Sequence, residues 1–324
     1  GAMTRYGQQF GPDFTFLGVP MCDLENPQSY AGADVVIVGA PFDGGASHRS
    51  GTRFGPMAIR GTDYLPHDGS RPSLALRTDA LRDLVVVDAG DVEMPPGDIE
   101  KALGGLEAAV TKIVAAGAIP VVLGGDHSIA FPDAKGCANV LGHGKVSMIH
   151  FDAHTDLYDS YFGGFKYTHG TPFRRAIEEG VLDPKRTIQI GLRGSMYDLD
   201  DFKYGEKMGV RLMRIEEAVE LGPQKVMEIA RGVVGDQETY VSFDIDMLDP
   251  VYAPGTGTPE VGGFTTLQAQ QMLRGLRGLN LVGADVVEVS PPFDASGMTA
   301  YAGVVMMFEI LCSMAETVAK QRRQ

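Results

Sequence analysis

Short β-branched and aliphatic runs recur along the chain at 34–38, 84–87, 119–123, 146–151, 187–190, 210–213, 239–243 and 281–289. Each has the length of a strand and is bounded by polar, Gly or Pro residues, which predicts eight strands. Between them lie stretches of helical periodicity, among them 98–116, 223–234 and 265–275, so strand and helix alternate. That order predicts an α/β protein: a three-layer sandwich with a central, mainly parallel eight-stranded sheet covered by helices on both faces.

The chain has 324 residues, 44% hydrophobic and 22% charged, with no repeat or long Gly/Ser or Pro linker. One domain over residues 3–324 is expected, with residues 3–33 as an N-terminal arm and Gly1 and Ala2 as a tag scar. The apolar segment 304–318 is interrupted by Glu309 and Glu316 and falls short of a bilayer span, so it reads as a buried helix. Cys22, Cys137 and Cys312 are far apart and lack any metal or redox spacing, which points to a reduced compartment and a cytoplasmic protein. A net charge of -14 argues against nucleic acid or an anionic membrane as partner, and suits a protein that binds cations.

In a parallel α/β sheet ligands bind outside the carboxyl ends of the strands, so polar residues directly after an apolar run are where chemistry is expected. Three segments qualify: Gly124-Gly125-Asp126-His127-Ser128, Asp152-Ala153-His154-Thr155-Asp156 and Asp244-Ile245-Asp246. Alternate residues of an extended backbone share a face, which predicts that Asp152, His154 and Asp156 point together, as do Asp244 and Asp246. Singly, Asp-x-Asp is usual in turns, and Gly-Gly-Asp-His in loops with a capping Asp. Together, the five Asp would repel one another strongly in a partly buried site unless cations neutralise them, and divalent metals do so. Mixed carboxylate and imidazole donors favour Mn²⁺, with Ni²⁺, Co²⁺ and Zn²⁺ open.

These segments resemble the ligand motifs of the ureohydrolase family, the arginases and agmatinases, with Ser-Phe-Asp-Ile-Asp at 242–246 as the third motif. The likeness runs from about residue 34 to near 316 and includes Arg53-Phe54-Gly55-Pro56, Tyr167-Thr168-His169-Gly170-Thr171 and Pro254-Gly255-Thr256-Gly257-Thr258-Pro259. It implies an arginase-like fold, two divalent metal ions per chain and release of urea from the guanidino group of a small molecule. By the same resemblance His127, Asp152, Asp156 and Asp244 hold one metal, and Asp152, His154, Asp244 and Asp246 the second, with Asp152 and Asp244 bridging. The deacetylases, similar in fold, keep one zinc and lack this full ligand set.

A metal pair lowers the pKa of a shared water enough to make it a nucleophile near neutral pH. The resemblance implies that Glu288 pairs with the guanidinium, that His169 is the proton shuttle to the departing amine, and that Asp156 completes the catalytic set. It also places Tyr161 where the family discriminates tail length, with Glu260, Thr258, Ser195, Arg49 and His48 as the remaining substrate-pocket candidates. His67, His143 and His150 lack a ligand motif and are assigned to surface or packing. Residues 161–179 and 191–195 are most similar to the enzymes of short guanidino acids, so a guanidinopropionate- or guanidinobutyrate-type acid, or agmatine, is the expected substrate. A nickel-dependent hydrolase of small alkylguanidines or biguanides is the alternative. The family likeness further implies a homo-oligomer, trimer or hexamer, with a hetero-oligomer containing a non-catalytic subunit left open. A dinuclear phosphoesterase would need basic phosphate clamps that this acidic chain does not advertise.

Overall fold

The computed structural model describes residues 14–63 and 70–323. All eight apolar runs become strands: β1 (Val35–Ala40), β2 (Val86–Asp91), β3 (Ile119–Gly124), β4 (Val146–Phe151), β5 (Leu182–Leu192), β6 (Arg211–Arg214), β7 (Thr239–Asp244) and β8 (Leu281–Val287). They form one sheet, parallel throughout, in the order β2-β1-β3-β8-β7-β4-β5-β6. β5 starts earlier than its apolar run, because polar residues from Asp183 to Arg186 continue the strand across a register shift against β4.

The pleat explains the layers. Val35 and Ile37 of β1 pack with helices Ile215–Val234, Thr266–Arg274 and Met298–Gln321, whereas Val36 and Val38 pack with Ile99–Ala115, Ala130–Leu141 and Pro172–Glu178. Successive side chains leave a strand on opposite faces, and here each face is covered, so the runs are apolar throughout. Helix Ile215–Val234 begins before its periodic segment; Gly222, at φ +80°, kinks it ahead of Pro223 and breaks the pattern. Helix Met298–Gln321 is longer than expected, 24 residues, and by length and composition it would cross a membrane; 78% of its apolar window is buried within the protein, which makes it a core helix. Its Glu309 is neutralised by Arg274, whose Nη2 lies 2.8 Å away.

The segment expected to be an arm is anchored in the core through part of its described residues, while most of residues 20–29 are exposed. Phe16, Leu17 and Val19 are buried in the cluster that holds Ile59, and the Phe16 N–H donates to Asp88 Oδ2 at 2.8 Å. Residues 1–13 and His67 lie outside the described residues. For the site the decisive fact is strand order: β3, β8, β7 and β4 are far apart in sequence but adjacent at the centre of the sheet. Their carboxyl ends therefore meet.

Candidate metal centre and active-site cavity

β4 ends at Phe151 and β7 at Asp244, so residues 152–156 and 245–246 lie beyond the strands, and pleating does not align their side chains. Tight turns do. Asp152 Oδ1 accepts from the His154 N–H at 2.7 Å, and Asp244 Oδ1 accepts from the Asp246 N–H at 2.8 Å, so each Asp folds the chain back over its own carboxylate. Asp156 (φ +50°) and Glu288 (φ +69°) occupy the left-handed region without being glycine. Such strain persists only where the surroundings over-determine it, commonly at functional sites.

The donors converge as expected. His127 Nδ1 lies 3.0 Å from Asp152 Oδ2, 2.9 Å from Asp156 Oδ2 and 3.1 Å from Asp244 Oδ2, all of them buried. On the other side of Asp152, His154 Nδ1 lies 3.0 Å from Asp246 Oδ2 and 3.4 Å from Asp152 Oδ1. Donor atoms of His127, His150, Asp152 and Asp156 fall within 4.8 Å of one another, as do those of Asp152, His154 and Asp246, so two donor groups share Asp152. Burial raises Asp244 well above the usual carboxylate range, and the facing Asp152 and Asp246 raise it further.

These residues fit a metal. His127 Nε2 is 2.8 Å from Ser242 Oγ, whose hydroxyl donates to Asp285 Oδ1 at 2.8 Å; Ser242 therefore accepts from Nε2–H and leaves the Nδ1 lone pair facing the carboxylates. Burial works against charge on His127 and the carboxylates outweigh it, yet Nδ1 is aligned for a hydrogen bond to none of them. A proton on Nδ1 would leave the cluster unsatisfied, whereas a cation among the four atoms satisfies all of them. Asp246 Oδ2 is likewise buried without a hydrogen bond. Behind the cluster the Tyr240 hydroxyl lies 2.8 Å from Asp285 Oδ2 and 3.1 Å from Asp133 Oδ2. One hydroxyl hydrogen serves one acceptor, and burial, then Asp285, holds Asp133 well above the usual range.

Above the donors a cavity of about 270 Å³ opens between Ser47, Tyr161, His169, Ser195, Thr258 and Glu288. Glu288 Oε1 accepts from the His127 N–H at 2.7 Å and stands 3.2 Å from His169 Nδ1. Burial opposes charge on His169, but the Glu288 carboxylate outweighs it and lifts the imidazole to about 9. Against that, the Ser47 N–H directed at Nε2 from 3.2 Å favours the neutral ring with its proton on Nδ1. The Tyr161 ring packs over Gly170, where a Cβ would come within 2.2 Å of the tyrosine hydroxyl. Glu260 also lines the cavity; its Oε1 lies 3.7 Å from His154 Nε2, and its Oε2 lies against Gly194 (φ +84°), whose added Cβ would meet that oxygen at 2.5 Å.

Two expected pocket residues are elsewhere. His48 is exposed and does not line the cavity; its neighbour Ser47 does, with Oγ 2.8 Å from His169 Nε2. Arg49 turns away to stack on Phe293, 3.9 Å from the ring centre, and donates to the Thr256 carbonyl at 3.2 Å. His150, assigned to packing, is fully buried with Nε2 2.7 Å from Asp152 Oδ2; the signal was its place two residues before that aspartate on an apolar strand. Arg193 was also missed. It donates to the carbonyls of Gly191, Asp246 and Glu260 at 3.2, 2.6 and 2.8 Å, and so ties the end of β5 to the segment that carries Thr258. His143 is on the surface, as expected, 2.9 Å from Asn139 Oδ1.

Comparison with known proteins adds to this geometry. Residues 33–313 match the profile described as the Arginase family. The chain is 51% identical to a guanidinopropionase of Pseudomonas aeruginosa over 291 residues, covering 90% of this chain and 89% of that one. Among solved structures, proclavaminate amidino hydrolase from Streptomyces clavuligerus superposes with a TM-score of 0.86 at 37% identity, covering 95% of this chain and 99% of that one. A Trypanosoma cruzi formiminoglutamase described with Mn²⁺ gives a TM-score of 0.79 at 28% identity, over 87% and 94% of the two chains.

Proposed function

The chain belongs to the arginase family, and from that premise we propose that it hydrolyses a small guanidino compound, a short guanidino acid in the first instance, to urea and an amine. The observation that carries this reading is the pair of donor groups sharing Asp152 beneath a cavity that also contains Glu288 and His169. Asp152 and Asp244 would be shared by two divalent ions, with His127 and Asp156 as the further ligands of one and His154 and Asp246 of the other. Mn²⁺ suits these oxygen-rich donors, with Ni²⁺ as the alternative. When bound, the metal pair supplies an activated water and cancels the charge of the carboxylates.

The rest is done by the protein's own residues. Glu288 commits Oε1 to the His127 N–H and to His169, which leaves Oε2 for the guanidinium N–H groups. Asp156 accepts the proton lost by the attacking water. His169, oriented by Glu288 on one nitrogen and Ser47 on the other, acts in the imidazolium form that the Glu288 carboxylate favours and protonates the departing nitrogen. Water oxygen bonds to the guanidino carbon, the C–N bond to the tail breaks, and the products are urea and a protonated amine.

The test is a urea-release screen across guanidino acids, agmatine and alkylguanidines with the protein loaded separately with Mn²⁺ and Ni²⁺. Turnover of at least one guanidino compound is expected. Absence of urea from every compound with both metals would refute the reading.

A further inference from the structure

Among the described residues, the part of the cavity that receives the substrate's tail, away from His169 and the proposed metal ligands, is lined by no Lys or Arg. Beyond Glu288, His169 and the proposed metal ligands, its described polar lining is Ser47, Tyr158, Tyr161, Ser195, Tyr197 and Thr258, with Glu260 at the side. Arg49 is held on Phe293 and the Thr256 carbonyl. Arg193 lies behind Glu260, its donors spent on backbone carbonyls. The adjoining cleft, which shares His154, Tyr158 and Ser195, has Lys203 and Arg214, but Lys203 is paired with Asp200 at 2.7 Å, and Glu206 and Glu216 line the same cleft.

What the tail meets is aromatic and neutral. Tyr158, Tyr161 and Tyr197 stand edge to face, with ring centres 5.4 to 5.9 Å apart. The Tyr158 hydroxyl is already donated to Asp201 at 3.0 Å. An incoming carboxylate would exchange its water shell for a few neutral hydroxyls, with the Glu260 carboxylate beside it; such an exchange gains little. A hydrocarbon tail gains ring contact and loses only water.

Resting on the hydrolase reading above, we propose that this subsite selects the length and shape of the tail without a salt bridge, so that an uncharged alkylguanidine is cleaved as efficiently as the guanidino acid of equal length. A carboxylate is tolerated there, held at the solvent edge of the tyrosine cluster, and supplies no specificity.

The experiment is a length-matched series, 3-guanidinopropionate, N-propylguanidine and 3-aminopropylguanidine, assayed for urea at low and high salt. Expected is a kcat/KM for N-propylguanidine no worse than about tenfold below that of the acid, the order of discrimination a single tail contact gives. The KM of the acid should also be insensitive to salt, since no exposed ion pair is there to be screened. A preference for the acid greater than about tenfold, with a KM that rises with salt, would overturn the inference while leaving the hydrolase reading intact. Urea from none of the compounds in this series and the wider screen would remove both. Tyr161→Phe supplies a second check: the ratio of acid to alkyl efficiency should stay unchanged, and a collapse of the acid alone would identify the hydroxyl as its anchor and contradict the proposal.

Discussion

The floor and the mouth of the cavity differ in every physical respect. At the floor His127, Asp152, Asp244 and Asp246 are at most 2% exposed, stand at or just beyond the ends of central strands, and are fixed by turns and by the Ser242–Asp285 relay. At the mouth Tyr197 is 77% exposed and Phe162, beside Tyr161, is 73% exposed, both on connections outside the sheet. A buried cluster of carboxylates is tolerable only with its counter-charge, so the floor is constrained to one chemistry. An exposed aromatic loop has no such constraint. On the hydrolase reading proposed above, the floor sets the reaction and the mouth the choice of substrate.

The largest expected break comes from the shared donors. Asp152→Asn or Asp244→Asn should reduce urea release to below about one thousandth and lower bound metal, because the metal pair they would hold lowers the pKa of the attacking water to near neutrality. Normal metal content with normal turnover in either variant would show that these residues do not bridge. His169→Ala should cost about 10² to 10⁴ in kcat, the usual contribution of a general acid, with both metals retained. Loss of metal in that variant would move His169 from the proton path into the ligand set.

The floor was legible in sequence because its donors directly follow apolar runs, and strand alternation with helices fixes where those ends lie. Strand pleating does not account for their convergence, since 152–156 and 245–246 leave the strands and turn. Side chains acting on the donors from behind, His150 and Asp285, sit inside the runs themselves and look like isolated polar residues in a core. The mouth was hardest to read. Whether Ser47, His48 or Arg49 faces the cavity depends on the local path of one loop, and periodicity carries no information about it.

Smaller effects sharpen the boundary. Ser242→Ala should weaken metal affinity by about 10 to 100-fold, because it frees the His127 tautomer and ring orientation without removing a ligand. Titration of the metal-free variant would detect this, and unchanged affinity would reduce the relay to packing. Tyr161→Met should reorder efficiencies along a series from guanidinoacetate to guanidinobutyrate by about tenfold, at the lower end of what one methylene is worth, with metal content unchanged. An order preserved through a uniform loss would assign Tyr161 to packing on Gly170.

The central claim is tested most directly by counting metal and urea on the same sample through removal and reloading. Protein stripped by a chelator and then titrated with Mn²⁺ or Ni²⁺ should regain urea release in step with the second ion bound per chain, on at least one guanidino compound. Full turnover by the stripped protein, or activity complete at one ion per chain, would contradict a dinuclear hydrolase built on Asp152 and Asp244.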